Sequence, residues 1–220
     1  SLLAEWPAMV DAGQLADWEG YRDVARLGRK TRLGEKQRKL LWEIFAKARQ
    51  RLEEGALFTP AMTFAAVAGE LKDGASVPFD VVVVDEAQDV SVPQLRFLAA
   101  LAGDRPDALF FAGDLGQRIF QTPFSWKSLG VDVRGRSSTL RINYRTSHQI
   151  RRQADRLLGP EITDVDGVVE SRAGAISVFN SPEPEIRLLP DVEAEEEAVG
   201  AWLRARLGEG LLPEEIGIFV

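Results

Sequence analysis

Cysteine is absent from the 220 residues, and histidine occurs once. The absence of cysteine excludes a disulfide framework, thiolate metal sites and a cysteine nucleophile, and it fits a reducing compartment. No apolar run approaches the roughly 20 residues that cross a bilayer, and no basic region followed by a hydrophobic stretch opens the chain. We therefore expect a cytoplasmic protein that is not embedded in a membrane.

A surplus of positive charge is also lacking, since the formal net charge is −7. An acidic chain does not hold nucleic acid through its overall potential, so any contact with DNA must be local. Basic residues cluster between Arg22 and Arg51, where a solvated helix face is the simpler interpretation. A second cluster follows later in the chain, at Arg141, Arg145, Arg151 and Arg152.

Hydrophobic residues make up 45% of the chain and are enough for a real core. Between residues 34 and 54 they recur at three and four residue steps, which predicts one face of an amphipathic helix formed by Leu41, Ile44, Phe45, Ala48 and Leu52. We expect residues 1 to about 57 to be all-helical. Thr59 followed by Pro60 predicts the start of another helix, which runs to about residue 71.

The remainder of the chain alternates apolar strands with helices. The segment at 79–84, which ends in four successive valines, predicts a strand buried on both faces. Further strands are predicted at 108–112, 139–142, 176–179 and 216–220, and helices at 92–101, 147–158 and 192–207. This alternation is typical of a parallel sheet with covered faces, and it predicts an α/β fold.

The strongest local signal is the string VVVVDEAQD at 81–89. A buried parallel strand delivers acids at its carboxyl end, where α/β sheets bind their ligands. There Asp85 is suited to hold Mg²⁺, which prefers oxygen ligands. Glu86 is suited to orient or deprotonate a water that attacks a γ-phosphate. A bare Asp-Glu pair is usually an acidic loop, but the longer string after a strand favours the functional interpretation.

The string DEAQD resembles the second motif of the UvrD/Rep superfamily 1 DNA helicases, a strand that ends in DE-x-QD. GDLGQRIF at 113–120 is similar to the third motif of that family, and LRINYRT at 140–146 to the fourth. The resemblance runs from about residue 59 to 220. It implies a helical subdomain at 1–57, part of a first RecA-like (P-loop NTPase) domain at 58–137, and part of a second at 138–220.

The resemblance also implies a nucleotide site between the two RecA-like parts, with ATP and Mg²⁺ as cofactors. Gln117 would sense a phosphate oxygen, Tyr144 would lie flat on the adenine, and Arg145 would stabilise the charge that develops on the γ-phosphate. We also expect Gln88 to bind the nucleotide. Taken alone, Gln117 would belong to an ordinary turn, and the NYR string to the end of a strand.

In the family, aromatic residues after the third motif stack on bases of single-stranded DNA, a contact worth about 1–3 kcal/mol per base. Phe120 matches the first of these aromatics. Trp126 with Lys127 resembles the Trp-Arg pair that follows, but four extra residues intervene here, so Phe124 is a rival. The single histidine, His148, is predicted at a helix start and is given no catalytic role.

A glycine-rich phosphate loop, G-x-x-x-x-G-K-[ST], does not occur, and GRKT at 28–31 mimics only its tail. We expect an internal piece of a monomeric, 3′ to 5′ ATP-dependent helicase or translocase that acts on single-stranded or partly duplex DNA, with two further motifs beyond residue 220. By itself the piece should hydrolyse little or no ATP. The motor of a helicase-nuclease, an RNA-polymerase-associated ATPase and a non-enzymatic metal- or partner-binding module remain open.

Overall fold

The elements described in the N-terminal part of the chain are helical. The structure, a computed structural model, describes residues 5–24, 26, 33–117, 124–157, 161–171 and 174–219. A short segment with π-helical hydrogen bonding, Trp6–Asp11, precedes helices α1 (Trp18–Asp23) and α2 (Glu35–Glu54). The described residues before 58 contain no strand.

Helix α2 packs on a small aromatic core rather than on the full predicted face. Tyr21 and Phe45 are fully buried there, and Tyr21 also stacks on Trp42 with ring centroids 5.5 Å apart. The Tyr21 hydroxyl donates to the buried Glu5 carboxylate at 2.9 Å. Burial and this hydrogen bond raise the pKa of Tyr21. The prediction that Ile44 belongs to the packed face is wrong, because the buried side of the helix is centred on Phe45 and leaves Ile44 exposed.

Helix α3 (Pro60–Lys72) begins where the Thr-Pro pair predicted it. The Thr59 hydroxyl oxygen accepts a hydrogen bond from the backbone N–H of Met62 at 3.1 Å, so the free end of the helix is capped. Helix α3 packs on helix α4 (Val92–Ala102), with Phe64 and Phe97 ring centroids 5.4 Å apart.

Strands β1 (Val82–Val84) and β2 (Leu109–Phe111) form a two-stranded parallel sheet, with Val83 opposite Phe110. One face of the sheet packs on a core of five buried residues, three of them from helix α4: Val90, Leu95, Leu98, Leu101 and Val131. Leu71 of helix α3 also lies against this core. The prediction of a strand buried on both faces is wrong. Side chains alternate across a strand, so Val83 and Phe110 point to the bare face and are 68% and 60% exposed.

A second parallel pair joins β3 (Ile142–Asn143) to β6 (Ile176–Ser177). Helix α5 (His148–Ala154), extended by a 3-10 turn, follows β3, and helix α6 (Val192–Gly208) lies later in the chain. These elements confirm the helices predicted near 147 and 192. We call the described residues of 60–131 the β1–β2 lobe and those of 138–219 the β3–β6 lobe.

Two features of the β3–β6 lobe differ from the prediction. An antiparallel hairpin of β4 (Glu161–Thr163) and β5 (Val169–Ser171) was not predicted. The strand predicted at 216–220 is wrong for residues 216–219, the part of it that the structure describes. Two isoleucines and a phenylalanine favour a strand there, but these residues pair with no described strand, and Phe219 is 96% exposed.

Helices mixed with small parallel sheets confirm a partial α/β fold. The RecA-like arrangement and the division at residues 57 and 137 stay predictions. In the parts of the chain that the structure describes, no helix has the length and apolar character needed to span a membrane.

Candidate functional site

The segments that follow β1 and β2 run side by side at the carboxyl edge of the sheet. The N–H of Ala112 donates to the carbonyl of Val84 at 2.8 Å, and the N–H of Ala87 donates to the carbonyl of Ala112 at 2.9 Å. The parallel pairing therefore continues past both strands. It brings the DEAQD string next to the Gly-Asp pair at 113–114.

Gln88 joins these two segments through its side chain, which is only 6% exposed. Its Nε2 donates to Oε2 of Glu86 at 2.5 Å, and its Oε1 accepts from the backbone N–H of Asp114 at 3.0 Å. Both polar atoms of a buried amide are thus used within the protein, as burial requires. A direct contact of Gln88 with a nucleotide stays a prediction.

Asp114 extends the connection to Gln117. Its Oδ1 accepts from the backbone N–H of Gly116 at 2.8 Å, and its Oδ2 accepts from Nε2 of Gln117 at 3.0 Å. Glu86, Gln88, Asp114 and Gln117 therefore form one continuous set of hydrogen bonds, which we call the Gln88 bridge. It contains three of the predicted site residues, Glu86, Gln88 and Gln117.

Gly113 makes this arrangement possible because there is no room for a side chain. A Cβ atom built on Gly113 would lie 2.6 Å from Oε1 of Gln88 and 3.0 Å from the backbone nitrogen of Ala87. Neither Gly113 nor Asp114 was assigned a role from the sequence. The signal that points to them is a Gly-Asp pair directly after an apolar strand, where glycine permits a close approach of two backbones.

The two acids of DEAQD sit on an unusual backbone. Glu86 has φ of 52° and ψ of 41°, in the left-handed region that residues other than glycine seldom adopt. Its N–H donates to Oδ1 of Asp85 at 2.9 Å, and both side chains are exposed. Strained backbone of this kind concentrates at functional sites. Here it turns Glu86 back toward Gln88.

The acids fit a magnesium ion. Within the described residues, Oδ2 of Asp85 and Oε1 of Glu86 take part in no hydrogen bond or ion pair, so carboxylate oxygens remain available at the edge of the sheet. Mg²⁺ is commonly held by one or two carboxylates while it keeps several waters. In the described part of the chain, no group of three or more His, Asp or Glu side chains is placed to hold a metal.

Tyr144 and Arg145 lie on the turn that follows β3. Oδ1 of Asn143 accepts from the backbone N–H groups of Arg145 and Thr146, each at 2.9 Å, and this fixes the turn. The Tyr144 ring is 73% exposed, and the exposed Arg145 side chain has no hydrogen bond or ion pair in the described part of the molecule. The structure thus does not bring Arg145 into contact with Asp85, and their apposition across a nucleotide stays a prediction.

Of the predicted DNA-binding aromatics, Phe120 lies outside the described residues. Trp126 is half-buried and packs edge-on against Phe111 of β2, with ring centroids 4.8 Å apart. Phe124 is also half-buried, beside the core of the β1–β2 lobe. Their contact with DNA stays a prediction. His148 is exposed at the start of helix α5, where the sequence placed it.

Paired acids after one parallel strand, linked to a glutamine after the next, place oxygen ligands and a proton acceptor at the edge where α/β sheets bind their ligands. Residues 36–125 match the UvrD/REP helicase N-terminal domain, so the resemblance to a UvrD/Rep-type helicase is confirmed. The matched segment contains the whole Gln88 bridge but neither Tyr144 nor Arg145. A search of the curated proteins found no match.

Proposed function

We propose that the full-length protein is an ATP-dependent DNA helicase or translocase that couples ATP hydrolysis to 3′ to 5′ movement on single-stranded DNA. The Gln88 bridge is the observation that carries this proposal. It ties the acid suited to activate water to the glutamine suited to report on phosphate, through a buried amide. The match to the N-terminal domain of UvrD/REP helicases supports the same class.

Glu86 is the proposed general base. Its Oε1 accepts the proton of the water that attacks the γ-phosphate, while its Oε2 is held by the amide of Gln88. A carboxylate with one oxygen fixed and the other available is oriented without being blocked. Asp85, one residue earlier, would hold Mg²⁺, which when bound neutralises charge on the phosphates.

Gln117 is the proposed reporter of the nucleotide state. The Gln117 amide donates to Asp114, whose backbone N–H is bonded to Gln88. A shift of Gln117 toward a phosphate oxygen would therefore alter the hydrogen bonds of the bridge. The residues that follow include the aromatics proposed to stack on DNA bases. Tyr144 would pack on the adenine and Arg145 would approach the γ-phosphate when ATP draws the lobes together.

The 220 residues contain no glycine-rich phosphate loop, and we propose that they hydrolyse little or no ATP by themselves. The phosphate loop would come from another part of the full-length protein. A monomeric state and a cytoplasmic location also stay predictions.

The decisive experiment replaces Glu86 by glutamine in the full-length protein. Glu86→Gln keeps the size of the side chain and its contact with Gln88, but it removes the proton acceptor. The DNA-stimulated ATPase rate should fall roughly 10²- to 10⁴-fold, the usual contribution of a general base. Binding of a non-hydrolysable ATP analogue should persist.

Glu70→Gln is the matched control, because Glu70 is an exposed acid on helix α3 of the same lobe. It should leave the ATPase rate unchanged. If Glu86→Gln is as active as the parent protein, or if the full-length protein hydrolyses no ATP, the proposal is wrong. A module whose acids merely hold a metal or a partner would then be the better interpretation.

A further inference from the structure

The tip of the β4–β5 hairpin is tightly organised. Oδ1 of Asp164 accepts from the backbone N–H groups of Asp166 and Val168, at 2.9 and 2.8 Å. Gly167 has φ of 80°, which lets the chain reverse without a steric penalty. The turn is therefore fixed by its own hydrogen bonds, and it presents the Asp166 carboxylate outward from the hairpin.

That carboxylate is bonded to a segment about 40 positions earlier in the chain. The Ser125 hydroxyl donates to Oδ1 of Asp166 at 2.5 Å, and the backbone N–H of Lys127 donates to Oδ2 at 3.0 Å. Asp166 thus holds Ser125 and Lys127, the residues on either side of Trp126, at the point where a 3-10 turn begins.

Trp126 is therefore held from two sides. Its ring packs edge-on against Phe111 of β2, while the residues before and after it are bonded to Asp166 of the hairpin. The contact connects the β1–β2 lobe to the β3–β6 lobe directly at an aromatic residue. The conformation of that residue consequently depends on both lobes.

We propose that Asp166 is a positioning residue that holds the Ser125–Trp126–Lys127 segment in the conformation in which Trp126 binds a base of single-stranded DNA. This inference rests on the proposed function, because it assumes that Trp126 contacts DNA. Asp166 acts through Trp126 and not by touching DNA, since a carboxylate repels the phosphate backbone.

The charge state of Asp166 supports this role. Burial opposes ionisation, but the hydrogen bonds from Ser125 and Lys127 help to outweigh it and hold the pKa of Asp166 below its ordinary value. The group is thus an anion at neutral pH and an acceptor at both oxygens. Asparagine at this position would keep the shape but offer only one oxygen, so the donors of Ser125 and Lys127 could not both be satisfied in the same way.

The test is Asp166→Asn in the full-length protein, with oligothymidylate as the DNA. The DNA concentration that gives half-maximal ATPase stimulation should rise about 3- to 10-fold, a part of what a lost base stack costs. The rate at saturating DNA and the rate without DNA should both stay within about twofold, because the ATP site is untouched. Glu161→Gln, an exposed acid on the same hairpin, is the matched control and should change neither quantity.

A spectroscopic measurement separates positioning from general destabilisation. In protein labelled with fluorotryptophan, the ¹⁹F resonance of Trp126, assigned by Trp126→Phe, should shift when oligothymidylate binds to the parent. The shift should be smaller in Asp166→Asn at saturating DNA, at a temperature where both proteins are folded. The inference is wrong if the Trp126 resonance of Asp166→Asn shifts on DNA binding as much as in the parent and the half-saturating DNA concentration is also unchanged.

Trp126→Ala distinguishes failure of the inference from failure of the proposed function. If Trp126→Ala raises the half-saturating DNA concentration but Asp166→Asn does not, Asp166 is not a positioning residue, and the DNA contact stands. If Trp126→Ala has no effect, the inference fails together with that contact, whereas the ATPase test on Glu86 is independent of both. If the inference holds, the double variant should bind DNA no more weakly than Trp126→Ala alone.

Discussion

The β1–β2 and β3–β6 lobes differ sharply in what they bury. Helix α4 buries Leu95 completely, and a continuous core lies beneath the strands that carry Glu86 and Gln117. In the described residues of the β3–β6 lobe no apolar side chain is buried, and Ser147 is the single buried residue. The two lobes share the β-α alternation, but only the β1–β2 lobe has a buried apolar core beneath its predicted site residues in the described structure.

This difference separates two kinds of site residue. The Gln88 bridge is assembled within the protein, so Glu86 is oriented before any nucleotide arrives. Tyr144 and Arg145 project from a turn whose backbone is fixed, but their own side chains have no hydrogen bond or ion pair in the described structure. Under the proposed function, the first set would be preorganised, and the second would acquire its geometry on nucleotide binding.

The largest expected effect is on the core itself. Leu95→Ala should lower the free energy of unfolding by about 2–5 kcal/mol, because it leaves a cavity in the β1–β2 lobe. Ile142→Ala in strand β3, where the side chain is 56% exposed, should cost less than about 1 kcal/mol. Urea denaturation of both variants measures the difference. Equal losses would mean that the lobes do not differ in the burial that stabilises them.

A smaller effect is expected at the close approach beneath the site. Gly113→Ala pushes a methyl group against Gln88 and Ala87 and should cost about 1–3 kcal/mol, with a loss of ATPase activity in the full-length protein. Gly69→Ala is the control in helix α3, where an added Cβ meets nothing within 4 Å. It should stabilise the protein by up to about 1 kcal/mol. An active, stable Gly113→Ala variant would show that the bridge is not tightly packed.

The smallest effect is expected at exposed ion pairs, which should contribute equally little on both sides of the comparison. Just after the β1–β2 lobe, Oδ2 of Asp132 lies 2.6 Å from Nη2 of Arg134. In the β3–β6 lobe, Oε1 of Glu183 lies 2.5 Å from Nη2 of Arg152. Asp132→Asn and Glu183→Gln should both leave the thermal unfolding midpoint unchanged, because exposed pairs are screened by solvent. A clear loss from either variant would contradict this.

The pH dependence of the first pair sharpens that test. The hydrogen bond from the Arg134 side chain lowers the pKa of Asp132 to about 2. A pKa that is lower in the folded protein than in the unfolded chain adds stability above about pH 4 that is lost as the pH falls toward 2, but solvent screening keeps this contribution small for so exposed a pair. An NMR titration of the Asp132 carboxyl group measures the pKa directly. Titration near pH 4 would show that the pair does not persist in solution.

Local signals in the sequence predicted local structure well. The Thr59-Pro60 pair located the start of helix α3, because capping depends on residues three positions apart. The DEAQD string was correctly placed after a strand, since a β-branched run followed by acids has few other conformations. Helix α6, predicted at 192–207, spans Val192–Gly208.

Features that depend on distant partners were predicted poorly. The four valines that end the segment at 79–84 indicated a strand, but which faces of a strand are buried is decided by what packs on it, and Val83 is exposed. The contact between Gln88 and Asp114 spans 26 positions and depends on the pairing of β1 with β2. The contact between Asp166 and Ser125 is more distant still and involves a hairpin that the sequence did not indicate.

The direction of the hydrogen bonds at Gln88 restricts which residue can stand there. In the bridge, one side chain must donate a hydrogen bond to the carboxylate of Glu86 and accept one from the backbone N–H of Asp114. A primary amide has both capacities on a single carbon. Glutamate would place a second negative charge against Glu86, leucine would leave two polar groups unsatisfied, and asparagine is one methylene too short. The amide of Gln88 therefore determines the chemistry of both contacts: its nitrogen must face the carboxylate of Glu86, and its oxygen must face the backbone N–H of Asp114.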